Sequence, residues 1–200
     1  MPVFGGSVPR VARERLKRVG ASAAPAVLVA VFGGRAYEEE LTELVYEATS
    51  AGFVPVAAIA AVAERSMARQ FAAGRPDEQD ASELVGFGER IREALEQGAG
   101  CSAALEVPGE VAEKPSKPAA TPLPTADCTG CMACARACPT GAIDPSDPSK
   151  VDAARCLGCM RCVSACSFGA RELAPVVLEH VGSFLAAACP ERATNELYLR

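Results

Sequence analysis

Up to about residue 100 the chain alternates two hydrophobic patterns. Ala12, Leu16 and Val19 recur at helical spacing behind Ser7-Val8-Pro9. A helix is expected there, with Ser7 as N-cap, Pro9 in the first turn and Gly20 at its end. Residues 26–32 are a continuous apolar run, the pattern of a strand buried on both faces of a parallel sheet. After Gly33-Gly34 a second helix is expected over 37–50, burying Leu41, Leu44, Val45 and Ala48, and Gly52 stops it. Residues 53–60 read as a second buried strand. Gly74-Arg75-Pro76-Asp77 breaks the chain again before a third helix that runs to about Gln97 and buries Leu84, Phe87, Ile91 and Leu95. The order α-β-α-β-α predicts a doubly wound α/β fold with a parallel sheet and right-handed crossovers.

The pattern then stops. Residues 106–126, EVPGEVAEKPSKPAATPLPTA, hold five prolines and no periodicity. The expected organisation is therefore an α/β domain over 1–103, a proline-rich linker over 104–125, a cysteine-rich unit over 126–172, and a C-terminal helix and tail over 173–200. In the last helix Val177, Val181, Phe184, Leu185 and Ala188 mark the buried face, and a polar tail closes the chain.

Composition narrows the function. A net charge of -5 in 200 residues gives no support to nucleic-acid binding. The apolar runs are too short to span a bilayer. The opening residues, MPVFGG, have neither the basic stretch nor the apolar stretch of a signal peptide, so a cytoplasmic, reducing compartment is expected. Ten cysteines in such a compartment point to metal rather than disulfides.

Eight of those cysteines form an internal repeat. CTGCMACARACPTGA from Cys128 and CLGCMRCVSACSFGA from Cys156 align at an offset of 28 residues. Every cysteine matches, as do Gly130/Gly158, Met132/Met160, Ala137/Ala165, Gly141/Gly169 and Ala142/Ala170. The spacing C-x2-C-x2-C-x3-C lets three thiolates of one loop reach three irons of one cubane, while the fourth points away to the other cluster. Cluster one is thus assigned Cys128, Cys131, Cys134 and Cys166, and cluster two Cys156, Cys159, Cys162 and Cys138. Gly130 and Gly158 let backbone N–H groups approach the sulfurs. Structural zinc with four thiolates prefers two separated C-x2-C pairs, not three cysteines in one loop. Cys101, Cys189 and His180 lie outside the repeat and are expected to be ordinary thiols and a partly exposed structural histidine.

The repeat unit resembles bacterial-type 2[4Fe–4S] ferredoxins, and the resemblance implies one-electron transfer at low potential. Pro139 follows Cys138 as in that pattern, whereas Ser167 follows Cys166, which leaves ligation untouched and bears on the potential of cluster one. PVFGGSVP, VFGGRAYEEEL, AAGRPDEQD and the closing CPERATNELYLR resemble flavodoxin–ferredoxin fusion proteins, with residues 1–103 matching the C-terminal part of the flavodoxin-like domain. The resemblance implies FMN contacts at Phe4, Gly5, Gly6, Gly33, Gly34 and Tyr37, with the alternative that these glycines only make strand–helix turns. The flavin-phosphate loop, a Ser/Thr- and Gly-rich run behind a first strand, is absent from residues 1–100. FMN is therefore expected to bind only if a missing N-terminal part is supplied, through a start assigned too late or a partner protein. The first strands of the sheet are expected to be missing too, leaving 26–32 near an open edge.

These expectations converge on an electron carrier with two [4Fe–4S] clusters and a redox protein as partner, without nucleic acid or a membrane span. From Asp127 to Glu172 five acids balance five bases, so no acidic docking face of the soluble-ferredoxin kind is expected. The alternatives are a flavin-dependent oxidoreductase fed by the clusters and an iron–sulfur redox sensor.

Overall fold

The computed structural model describes residues 1–20, 23–37, 39–98, 104–111, 120–189 and 191–200. It divides the chain into two compact units: 1–65 with 69–114 and 189–200, and 66–68 with 115–188.

The first unit is a layered α/β structure. Helix α1 (Arg10–Val19) leads to β1 (Ala24–Phe32), α2 (Glu40–Ser50), β2 (Phe53–Val62) and α3 (Glu78–Glu96). β1 and β2 pair in parallel, Ala24 opposite Phe53 and Phe32 opposite Val62, with one irregularity at Ala26/Val27. Side chains alternate across the sheet because successive Cβ atoms point to opposite faces. Leu28, Ala30, Phe32, Ala58, Ala60 and Val62 meet Leu41, Leu44 and Ala48 of α2 on one face. Ala57, Ile59 and Ala61 meet Ile91 of α3 on the other, where Leu84 and Phe87 also pack. Both faces of β2 are covered, which is why this strand reads as apolar throughout, and its alanines let the helices approach closely.

Several boundaries differ from expectation. Ser7 does not cap α1; its hydroxyl donates to Glu43 at 3.1 Å, and Pro9 is the N-cap, lacking any side-chain bond. Val19 is exposed, so α1 buries its stripe only through Ala12 and Leu16. Helix α2 begins at Glu40, and Tyr37 precedes it, its carbonyl accepting from the Glu40 N–H at 3.0 Å. Leu95 is exposed at the end of α3. That helix opens with a reciprocal cap: the Asp80 N–H donates to the Asp77 side chain at 3.0 Å, and the Asp77 N–H to the Asp80 carboxylate at 2.9 Å.

Both ends of the chain join this sheet. Pro2 bridges Val31 in parallel fashion, with Val3 N–H donating to Val31 O at 2.9 Å and Val31 N–H to Met1 O at 2.7 Å. Part of the expected open edge of residues 26–32 is thereby covered. The expected polar tail contains a strand, β5 (Glu196–Leu199 in chain order, after the two short strands described below), antiparallel to β2. Asn195, just before it, is buried and accepts from Val62 N–H at 2.8 Å while donating to Asp80 at 2.9 Å and Glu83 at 2.7 Å. Asp80 also accepts from Nε and Nη2 of the buried Arg75, whose Nη1 donates to Ala193 O at 3.2 Å. Within the proline-rich span, Leu105 and Val107 pack on the first unit's core, and Thr42 donates to Pro108 O at 2.8 Å. Residues 112–119 of that span, and Cys101, lie outside the described residues.

The second unit holds β3 (Leu123–Pro124), α4 (Ala133–Ala137), α5 (Arg161–Ser164), β4 (Arg171–Glu172) and α6 (Pro175–Ala188). β3 pairs antiparallel with β4, and Ile143 bridges Val151 in the same sense. The segment after each repeat copy thus pairs with the segment before the other. In α6 only Leu185 is buried; Phe184 and Ala188 of the expected stripe are exposed, and so is His180. Among the described residues no helix is long and apolar enough to cross a membrane.

Candidate metal centre

The two repeat copies adopt one backbone conformation. Gly130 and Gly158 have φ of 70° and 64°, and Met132 and Met160, the N-caps of α4 and α5, have φ of 59° and 58° in the left-handed region. Each loop therefore reverses and delivers its third cysteine, Cys134 or Cys162, onto a short helix. The fourth cysteine follows the helix end, with Cys138 N–H on Ala135 O at 3.2 Å and Cys166 N–H on Val163 O at 3.1 Å. Gly141 and Gly169, at φ of 59° and 62°, turn the chain back and donate to the carbonyls of Cys138 and Cys166. The cysteine spacing is thus the spacing of a loop, one helical turn or so, and a return.

The copies converge on a recess. Its wall carries Cys156, Cys159 and Cys162 from the second copy and Cys138 from the first, with Pro139, Ala142, Ile143, Val151, Leu157 and Met160 as apolar lining. Cys128, Cys131, Cys134 and Cys166 do not line it. Cys131 is exposed; the other three are half-buried. Among the described residues no three Cys, His, Asp or Glu side chains gather as a site for a single metal ion.

Donors face the sulfurs. Ala142 N–H donates to Cys138 Sγ at 3.3 Å, the Thr140 hydroxyl lies 3.6 Å from the same sulfur, and Gly158 N–H donates to Cys156 Sγ at 3.5 Å. Burial acts to raise the Cys138 thiol, but the Thr140 hydroxyl and the N–H groups of Thr140, Ala142 and Ile143 outweigh it and hold the thiol below its ordinary value. The Ala133 N–H, at the head of α4, does the same for Cys131. Burial pushes the Cys162 thiol up, against the pull of Arg171. Arg171 is buried, and its Nη1 lies 3.6 Å from Cys134 Sγ. Between Ala170 and Glu172 it carries no mark in the sequence beyond a charge; the clue is its alignment with apolar Ile143 in the other copy.

These residues fit an iron–sulfur cluster: four thiols around an apolar recess, N–H groups aimed at sulfur, and a buried guanidinium whose Nε has no partner.

The residues of the expected flavin site lie in the first unit. Pairing of Pro2 with Val31 sets Phe4-Gly5-Gly6 and Gly33-Gly34 at the same end of the sheet, beyond adjacent parallel strands. A Cβ on Gly33 would lie 2.8 Å from Arg65 Cβ, and Arg65 Nε donates to Gly33 O at 3.0 Å; a Cβ on Gly34 would lie 3.2 Å from Ala72. Chain packing thus requires glycine at Gly33, whose neighbour is backbone and Cβ. Tyr37 stacks edge-on against Phe32, with ring centroids 5.4 Å apart. Its hydroxyl joins Glu196 at 2.8 Å and Tyr198 at 2.7 Å, and burial with these bonds pushes it well above the usual phenol range.

Among protein families, the one described as 4Fe-4S dicluster domain matches residues 127–170, less than a quarter of the chain. Neither the curated proteins nor the solved structures contain a match to it.

Proposed function

We propose that the chain is a one-electron carrier holding two [4Fe–4S] clusters. Residues 127–170 match an iron–sulfur domain, and that match supports an electron-transfer role. The observation that carries the finer reading is the recess, where Cys138 of one copy stands with Cys156, Cys159 and Cys162 of the other. Cluster two is held by these four, and by the repeat's symmetry cluster one by Cys128, Cys131, Cys134 and Cys166. When bound, each cluster supplies a reversible one-electron couple. The chain's own part is to exclude water with Ile143, Leu157 and Met160, and to turn N–H groups toward sulfur so that added negative charge is tolerated.

The partner is a redox protein that docks without strong electrostatic steering, because the cysteine-rich unit is charge-balanced. The compartment is a reducing one, where free thiols persist until they are loaded. Arg65 and Ala72 occupy the faces of Gly33 and Gly34, which supports the turn reading of those glycines, and the isolated chain is assigned no tight FMN site.

Anaerobic reconstitution tests the reading. About eight irons and eight sulfides per chain are expected, and stoichiometric zinc without labile sulfide would sink it. Cys138→Ala should perturb the cluster of Cys156, Cys159 and Cys162 in paramagnetic resonance and spare the local one.

A further inference from the structure

The repeat places Ile143 of the first copy opposite Arg171 of the second. Both are buried, at 5% and 2% exposure, so one end of the pseudo-symmetric unit carries an apolar side chain and the other a full positive charge. Burying an unpaired charge is costly. Among the described residues no carboxylate forms an ion pair with Arg171. Two carbonyls take part of its hydrogen-bonding capacity: Nη1 donates to Pro148 O at 2.8 Å and Nη2 to Pro122 O at 3.0 Å. Carbonyl dipoles do not cancel a net charge, and Nε is buried with no partner at all. Sulfur lies close by as well. Nη1 is 3.6 Å from Cys134 Sγ, and Arg171 lines the recess together with Cys162.

Cys134 and Cys162 are equivalent positions of the two copies, assigned to different clusters. The guanidinium therefore lies between the two cysteine sets. We infer that Arg171 is a shared countercharge and hydrogen-bond donor for both clusters, a positioning residue that favours their reduced states. This inference rests on the two-cluster reading above. A cluster ligated by four thiolates is anionic, and taking one electron from a redox partner adds one more negative charge to it. A fixed cation in a low-dielectric setting stabilises the product of that step more than the reactant. Because the side chain reaches both sets, its removal disfavours both reductions, whereas a residue that only packed would affect assembly without regard to charge.

The test uses the full chain, reconstituted anaerobically, as wild type, Arg171→Lys, Arg171→Gln and Arg171→Met. Iron and sulfide are quantified first, and each protein is then titrated against redox dyes with paramagnetic resonance of the reduced clusters. Arg171→Gln and Arg171→Met should weaken reduction of both clusters at least tenfold, equivalent to 59 mV for a one-electron couple. Arg171→Lys should recover most of that. If the neutral variants fail to assemble while Arg171→Lys assembles, the requirement for charge is upheld. If all three variants fail to assemble, or Lys, Gln and Met shift reduction equally, or none shifts it by as much as twofold, the countercharge role is wrong. A wild-type chain without labile sulfide would overturn the cluster reading itself, and an outcome of that kind is distinct from all of these.

Discussion

The two units are stabilised by different means. The first has two apolar clusters flanking a sheet, helices of ten to nineteen residues, and a buried Arg75–Asp80–Asn195 network that ties the C-terminal strand to α3 and β2. The second has helices of five and four residues around its cysteines and, among the described residues from Pro122 to the end of α6, only Pro122, Ala142, Ile143, Met160, Ala170, Leu173 and Leu185 as buried apolar side chains. Helices that short do not persist alone, and a unit of this size seldom closes on such a core. Ligand bonds are the expected substitute, since a site that forms only in the folded state returns its binding energy as folding energy. One unit is therefore stabilised by its own side chains and the other by what its side chains hold.

Removing the metal should break the comparison most sharply. Oxidative bleaching with a chelator under anaerobic conditions is expected to unfold the cysteine-rich unit entirely and leave the α/β unit's helical signal and melting transition in place. Circular dichroism before and after bleaching decides it; loss of both units together would show that their stabilities are not separable.

The next effect lies in the first unit. Asp80→Ala strips Arg75 of its buried counterion and Asn195 of an acceptor, and should cost about 3–5 kcal/mol, measured by urea unfolding of the α/β transition. The hydrogen bond from Arg75 holds the Asp80 carboxyl well below its usual range. Its contribution is therefore present above the ordinary value of 3.8 and is lost as pH falls below it toward the depressed one. Cluster content should not change.

Glu40 points the other way. It is fully buried at the start of α2, and neither carboxylate oxygen has a hydrogen-bond partner. Burial pushes the carboxyl up to about 9, with the Met1 amine opposing and Glu43 reinforcing. A raised carboxyl contributes fully below its ordinary value of 4.5, and that contribution falls as pH rises from there through about 9. Glu40→Met should stabilise the α/β unit by about 2 kcal/mol at pH 8 and by less at pH 5. A thermal melt at the two pH values checks the sign, and equal shifts at both would show that burial of charge is not the cause.

What was legible in the sequence follows the same division. The alternation of helix and strand and the apolar run of β2 announced the first unit's layers, because repeated patterns over ten or more residues outweigh local exceptions. The cysteine spacing announced the loops of the second, because ligation needs residues at fixed places in the chain. Contacts that join distant segments left no local mark. Asn195 reads as a tail residue until β2 lies beside it, and Glu196–Leu199 is too short to declare a strand. Ser7 has the chemistry of an N-cap but spends its hydroxyl on Glu43, 36 residues away. Val19 and Phe184 fit their helical stripes by spacing yet stay exposed, while Leu16 and Leu185 of the same helices face inward.

The smallest expected effect separates the two repeat copies. Met132 and Met160 share a left-handed backbone, at φ 59°, ψ 14° and φ 58°, ψ 7°. A side chain costs roughly 1–2 kcal/mol in that conformation, and glycine would relieve it at either position. The environments differ: Met160 is buried and lines the recess, whereas Met132 is only half-buried. Losing a buried methionine costs about 2–5 kcal/mol, more than the relief. Met160→Gly should therefore destabilise the loaded unit by about 1 kcal/mol or somewhat more, as the surplus of packing loss over relief. Met132→Gly should be near neutral, since half the burial is lost for the same relief. The midpoint of anaerobic guanidinium bleaching reads both. Equal losses at the two positions would mean that the methionines serve the loop backbone alike, and that the recess does not depend on its apolar wall.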